Sequence, residues 1–199
     1  INFDWSFERH FSREKPDAPV HAYDPTVGAG RFIRAGFWSL LGATYSRREW
    51  RRFRACCDYF SYFRGSRRHY RERIGCGSRQ TGVLEAASRL GAASSILIKM
   101  DIEGAEYEVC EQLLALAPRM TGLAIEFHDT EKHAANIIAF TRALSATHVV
   151  AHLHGNNYAG LGRDGRTPLS LEVTYVSRKC LPGDPVPFTG ALPLAGLDQ

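Results

Sequence analysis

Ile96-Leu97-Ile98-Lys99-Met100-Asp101-Ile102-Glu103-Gly104-Ala105-Glu106-Tyr107-Glu108-Val109 is the stretch whose reading decides the fold. Its first five residues form an apolar run of strand length with one lysine, and the run stops at an acid-rich turn containing Gly104. Continuous runs of this kind suit strands covered on both faces. Downstream, Glu106–Leu116 puts Val109, Cys110, Leu113 and Leu116 on one helical stripe, with Pro118 as the stop. A second strand follows at Gly122-Leu123-Ala124-Ile125 and runs into Glu126-Phe127-His128-Asp129. Glu131–Leu144 is the next helix, with Ala134, Ile137, Ile138, Thr141 and Leu144 aligned and Asp129 or Thr130 as N-cap. A third strand, His148–Leu153, ends at His154-Gly155-Asn156-Asn157.

Strand, helix, strand, helix, strand predicts right-handed crossovers and a mostly parallel, doubly wound α/β sheet. The alternating Leu169–Ser177 follows a Gly-rich stretch too short for a helix, so Leu171–Val176 should return as an antiparallel last strand beside the preceding one. Working upstream, Val83–Leu90 reads as a short helix ending at Gly91, and Val20–Tyr23 as a strand ending at Asp24-Pro25-Thr26. Phe32–Leu41 and Arg48–Phe63 look helical, and His69–Ile74 suits a further, more polar strand before Gly75-Cys76-Gly77. The tail from Leu181, with Pro182, Pro185, Pro187 and Pro193, reads as an extended strap or a loose end.

The whole chain of 199 residues suits one substantial α/β domain, 1–199, with a basic, aromatic-rich helical insertion or cap at about 28–73. With 44% hydrophobic and 23% charged residues, disorder and fibrous repeats are excluded. No apolar run reaches the roughly 18 residues of a membrane helix. Ile1–Glu8, carrying Asp4 and Glu8, lacks the pattern of a secretory leader. The five cysteines, Cys56, Cys57, Cys76, Cys110 and Cys180, have no C-x-x-C spacing, which points to a reducing, cytoplasmic setting.

Formal charge is +4, but Arg47–Arg73 alone holds ten arginines against Glu49, Asp58 and Glu72, a net of +7, leaving −3 for the remainder. Trp50, Phe53, Tyr59, Phe60, Tyr62, Phe63 and Tyr70 interleave with these arginines. Three readings remain open: a helix whose aromatics pack while its arginines are solvated, a cap recognising an anionic acceptor, or a nucleic-acid surface. The last ranks third, because the rest of the body is net negative.

In open α/β sheets, ligands bind at the carboxyl ends of the strands. Every polar cluster above falls there. Asp24 stands where an acid can accept from both ribose hydroxyls of a nucleoside, or equally where a turn before Pro25 needs one. Neither a complete G-x-G-x-x-G nor a P-loop is present, so no phosphate cradle is indicated. Glu103 and Glu106 flank Gly104 at a helix start, where the helix dipole favours carboxyl groups whatever the chemistry. His128 suits capping or catalysis, and His152, mid-strand, suits a core or face position. Asp101, Glu126, His128 and His154 form an oxygen and imidazole set suited to Mg²⁺, Mn²⁺ or Zn²⁺, although their spacing does not require a metal.

Lys99–Val109 resembles the K-I-D-[IV]-E-G-x-E signature of FkbM-type S-adenosylmethionine-dependent methyltransferases, and Ala124-Ile125-Glu126-Phe127-His128 is similar to that family's next strand. His154–Asn157 and Leu171–Tyr175 look like the terminal strand pair of some members, and Asp4–Glu8 with Val20–Thr26 resembles their motif-one helix and acidic second strand. Of the glycine-rich end of the first strand, only Ile1-Asn2-Phe3-Asp4 remains. The resemblance implies a Rossmann-like class I methyltransferase that binds S-adenosylmethionine through Asn2, Asp4, Asp24, Ile74, Cys76 and Asp101. It also implies methyl transfer to a hydroxyl of a small molecule or sugar, with His128 or His154 as base and Asp101 and Glu126 orienting or polarising. The competing expectation is a catalytically silent module that engages an anionic glycan, surface or partner through Arg47–Arg73.

Overall fold

The computed structural model describes residues 4–42, 46–91, 95–156 and 158–190. It is mixed α/β, and the chain divides into two compact units, Ile1–Arg73 and Ile74–Gln199. Asn2, Asn157 and Pro193, singled out above, lie outside the described residues. Among the described residues, no helix is long and apolar enough to cross a membrane, and the cysteines are free thiols.

The first unit contains α1 (Ser6–Glu14), β1 (Val20–Tyr23), α2 (Ala29–Gly42), α3 (Arg47–Tyr62) and β2 (Arg67–Tyr70). β1 and β2 pair in parallel, with Val20 opposite Arg67 and Tyr23 opposite Tyr70. The strand expected over His69–Ile74 therefore begins and ends earlier, where the backbone finds β1 as its partner. Ile74 makes only an isolated bridge to Thr81. Trp5, Val27, Phe32, Cys56, Tyr59 and Tyr62 form the core of this unit. Phe32 stacks on Tyr59 with centroids 3.9 Å apart. α2 and α3 approach closely at Gly36, where a Cβ would stand 3.2 Å from the Cys56 Cβ. On α3 the i, i+3, i+6 series Cys56, Tyr59 and Tyr62 is buried, and Arg47, Arg48, Arg51, Arg52 and Arg54 are exposed. The spacing of 3.6 residues per turn puts Cys56, Tyr59 and Tyr62 inward and these guanidinium groups outward, with Trp50 and Phe60 left exposed.

The second unit contains α4 (Val83–Ser88), β3 (Ile96–Met100), α5 (Cys110–Leu116), β4 (Met120–His128), α6 (Thr130–Leu144), β5 (His148–Gly155) and β6 (Ser170–Ser177). Its sheet runs β3-β4-β6-β5. β3 and β4 are parallel, and β6 is antiparallel to both β4 and β5. Three strands thus share a direction and the last opposes them, as expected. β6 also separates β4 from β5, a placement the local pattern did not contain.

Leu123, Ile125 and Phe127 of β4 are buried and cluster with Val109, Leu113, Phe140, Leu144, Val173 and Tyr175. The alternate positions Ala124, Glu126 and His128 face the other way and are half-buried. The buried histidine is His148, not His152. His148 Nε2 lies 3.0 Å from the Met120 carbonyl and Nδ1 2.8 Å from Thr147 Oγ1, and burial holds its pKa below the usual histidine value.

Candidate functional site

The turn after β3 builds the candidate site. Glu103 and Gly104 both have positive φ, 56° and 97°, a conformation costly for a glutamate and free for glycine. What holds it is Glu106, whose side chain is fully buried. Its Oε1 accepts from the N–H groups of Ile102 at 3.2 Å and Gly104 at 3.1 Å. Because Glu106 reaches back into the turn, the helix expected over Glu106–Leu116 splits into a 3-10 turn at Glu106–Glu108 and α5 from Cys110. A surface carboxyl at a helix start is thus replaced by a buried hub.

The same Oε1 lies 3.1 Å from His128 Nδ1. His128 ends β4, one strand over, so the parallel register of β3 and β4 brings it against the turn. Tyr107 Oη donates to the His128 carbonyl, and its ring stacks on His133 at 4.0 Å. With Nδ1 held, His128 Nε2 faces Asp101 Oδ1 at 3.8 Å, Glu103 Oε2 at 3.7 Å and Glu126 Oε1 at 3.8 Å. These separations are too long for hydrogen bonds. Glu126 is fixed in turn, accepting at Oε1 from Ser170 Oγ at 2.6 Å and Asn156 Nδ2 at 2.8 Å.

The charges act on one another. Burial lowers the His128 pKa, but the Glu106 charge and hydrogen bond, followed by Glu126 and Asp101, outweigh it and hold the pKa above 6.5. Asp101 is raised, first by desolvation and then by the Glu126 and Glu103 charges. Because the imidazole gains affinity for its proton on folding, it stabilises the fold fully below pH 6.5, its unfolded value. That contribution disappears as pH climbs through the raised folded value.

Asp101, Glu126 and His128 offer ligand atoms all within 4.8 Å of one another. Ligand atoms held about 2.1 Å from a common ion stand roughly 3–4 Å apart, and the two 3.8 Å separations from His128 Nε2 fall in that range. His154 is not in this group. It pairs with Glu172 of β6, which in turn pairs with Glu126, so two strand spacings, about 9–10 Å, separate His154 from β4. Its ring lies parallel to His152 instead.

The residues expected to hold a nucleoside cofactor fall in both units. In the first, Asp4 Oδ1 accepts from the Ser6 N–H at 2.8 Å, at the start of α1. Asp24 is buried at the end of β1, and its Oδ1 accepts from Thr26 N–H at 2.7 Å and Thr26 Oγ1 at 2.6 Å. That is an Asx-type turn, which explains its burial without a ligand. In the second unit, Cys76 is exposed; its N–H and thiol both reach Glu108, and its sulfur accepts from Gln112 Nε2. Asp101 is half-exposed at the end of β3.

Sequence reasoning missed the central position of Glu106 and the supports from Ser170 and Tyr107. The E-G-x-E spacing carried part of the signal, since a second acid two residues past a glycine can fold back onto the turn. No family model, curated protein or solved structure matches this chain.

Proposed function

We propose that this chain is an S-adenosylmethionine-dependent methyltransferase acting on a hydroxyl of a small molecule or sugar. The observation that carries the reading is the His128 imidazole, held at Nδ1 by buried Glu106, with Nε2 turned toward carboxyl groups at the ends of adjacent parallel strands. The Lys99–Val109 signature supports the same reading. When bound, S-adenosylmethionine supplies a methyl carbon on a sulfonium, open to in-line displacement.

The chain's own residues then divide the work. Asp101, half-exposed at the end of β3, fits the cofactor's ammonium group by charge. His128 Nε2 takes the acceptor's hydroxyl proton as the new oxygen–carbon bond forms, and Glu106 and Glu126 stabilise the imidazolium that results. Glu126, gripped by Ser170 and Asn156, fixes one wall of the site.

The test is transfer of a labelled methyl group from the cofactor to a panel of hydroxyl-bearing acceptors. Label recovered as an ether supports the reading; binding without transfer to any of them contradicts it. Chelation divides two roles for the cluster. If a divalent ion sits on Asp101, Glu126 and His128, excess chelator abolishes turnover and added Mg²⁺ or Mn²⁺ restores it. Full activity in chelator leaves His128 as the base. Asp24→Ala is expected to weaken cofactor binding about 10- to 100-fold, the loss of a hydrogen bond to a charged group. An unchanged dissociation constant in a folded Asp24→Ala protein restricts Asp24 to its turn.

A further inference from the structure

The helix pair of the first unit carries an apolar face, and what it suggests stands independently of the methyl-transfer reading. α2 and α3 run antiparallel. Phe32 stacks on Tyr59, Gly36 abuts Cys56, and the Ser39 hydroxyl donates to Glu49 Oε2 at 2.9 Å, so positions rising along α2 meet positions falling along α3. One side of the pair, with Ala35 and Trp38 from α2 and Arg52 from α3, lines a cavity of about 740 Å³. The opposite side differs in character. At about 100° per residue, Ile33, Phe37 and Leu40 fall on one stripe of α2, and Trp50, Phe53 and Phe60 on one stripe of α3. Counted around each helix from the seam between them, both stripes lie on the side away from the cavity.

These are large apolar side chains turned to solvent. Ile33, Phe37, Leu40, Trp50 and Phe60 are 44–61% exposed, and only Phe53 is half-buried. Contiguous exposed apolar surface of this kind marks an interaction face. Arg47, Arg51 and Arg54, all exposed, follow along its α3 edge. α3 carries five arginines against two acids, and both acids are turned to protein groups: Glu49 to Ser39, Asp58 to Trp5 Nε1 and Arg9.

We infer that this side of the α2–α3 pair docks on a membrane surface containing acidic phospholipids. The apolar stripes enter the headgroup layer and the α3 arginines pair with lipid phosphates. Two helices packed side by side present a broad face, and its apolar centre with a cationic edge matches a layer in which acyl chains lie just beneath phosphates. Tryptophan favours that boundary, and the planar guanidinium group matches phosphate oxygens two at a time. A second copy fits less well, since a two-fold contact through this face sets each cationic edge against a copy of itself. The arginines of α3 were conspicuous in the sequence; the apolar half contributed by α2 emerges only from how the helices pair.

Co-sedimentation of the full chain with vesicles tests the inference. Vesicles of phosphatidylcholine mixed with phosphatidylserine are expected to bind at least about 10-fold more strongly than vesicles of phosphatidylcholine alone, and added salt should weaken the binding. Phe37→Ser/Trp50→Ser should lower it at least about 10-fold. Leu84→Ser/Ile138→Ser, which removes two exposed apolar side chains of the second unit, should change it less than about twofold. Matched circular dichroism melts confirm that the variants fold. In a Trp38→Phe protein, Trp50 emission should shift to the blue on the mixed vesicles, because Trp5 is already buried. No binding at millimolar lipid overturns the inference. So does binding that survives Phe37→Ser/Trp50→Ser unchanged, which would make it a diffuse attraction of charge. A dimer in solution that the same double variant dissociates, with no lipid binding, overturns it in favour of a second copy.

Discussion

Glu106→Leu is expected to lower unfolding stability by about 3–5 kcal/mol. The substitution roughly preserves volume and removes the carboxylate oxygen that accepts from three donors at once: the Ile102 and Gly104 N–H groups and His128 Nδ1. Each of these partly buried donors costs toward the low end of about 1–3 kcal/mol when left without its partner, since the turn can relax toward water. The positive φ at Glu103 is held by these same hydrogen bonds, so the turn is expected to relax once they are gone, which offsets part of the loss. Glu106→Gln keeps an oxygen at the same place and should cost far less. Urea unfolding of the three proteins measures the difference. A leucine variant within 1 kcal/mol of wild type would mean that the turn does not depend on Glu106.

His128→Gln is expected to reduce methyl transfer about 10²- to 10⁴-fold, the range for loss of a positioned general base, while leaving cofactor affinity nearly unchanged. Glutamine retains a polar side chain but cannot take a proton. The pH profile adds a readout that a structural role would not move. His128 is held above 6.5 by Glu106, Glu126 and Asp101, so wild-type turnover should rise with pH through that raised value as the neutral imidazole is populated. The variant's residual rate should lack this limb. Equal turnover in the two proteins, or a limb that survives the substitution, removes His128 from the base role.

The strand–helix alternation from Ile96 to Leu153 was legible in the sequence because it rests on local periods: apolar runs for β3, β4 and β5, and stripes for α5 and α6. The antiparallel return of β6 was legible from its short Gly-rich connection. Its insertion between β4 and β5 was not, since strand order depends on pairing between residues such as Glu126 and Glu172, far apart in the chain. The acids at the strand ends were visible as a class, but which of them meet was not. His154 and His128 look alike in sequence, each ending an apolar run, and only the intervening β6 separates their environments. Glu106 carried a plausible surface role at a helix start. Its burial belongs to the fold of the turn, where the side chain reaches back to the Ile102 N–H and the chain takes a 3-10 course at Glu106–Glu108. On α3 the arginine count was plain, but that Arg52 would line one cavity with Arg31, Arg34 and Arg71 depends on how α2, α3 and the chain after β2 pack.

The central claim, that this chain uses S-adenosylmethionine, is tested most directly by calorimetric titration of the full chain with that cofactor. The account predicts saturable binding at micromolar concentration, weakened by Asp24→Ala and retained in His128→Gln. Absence of binding at millimolar cofactor would contradict it.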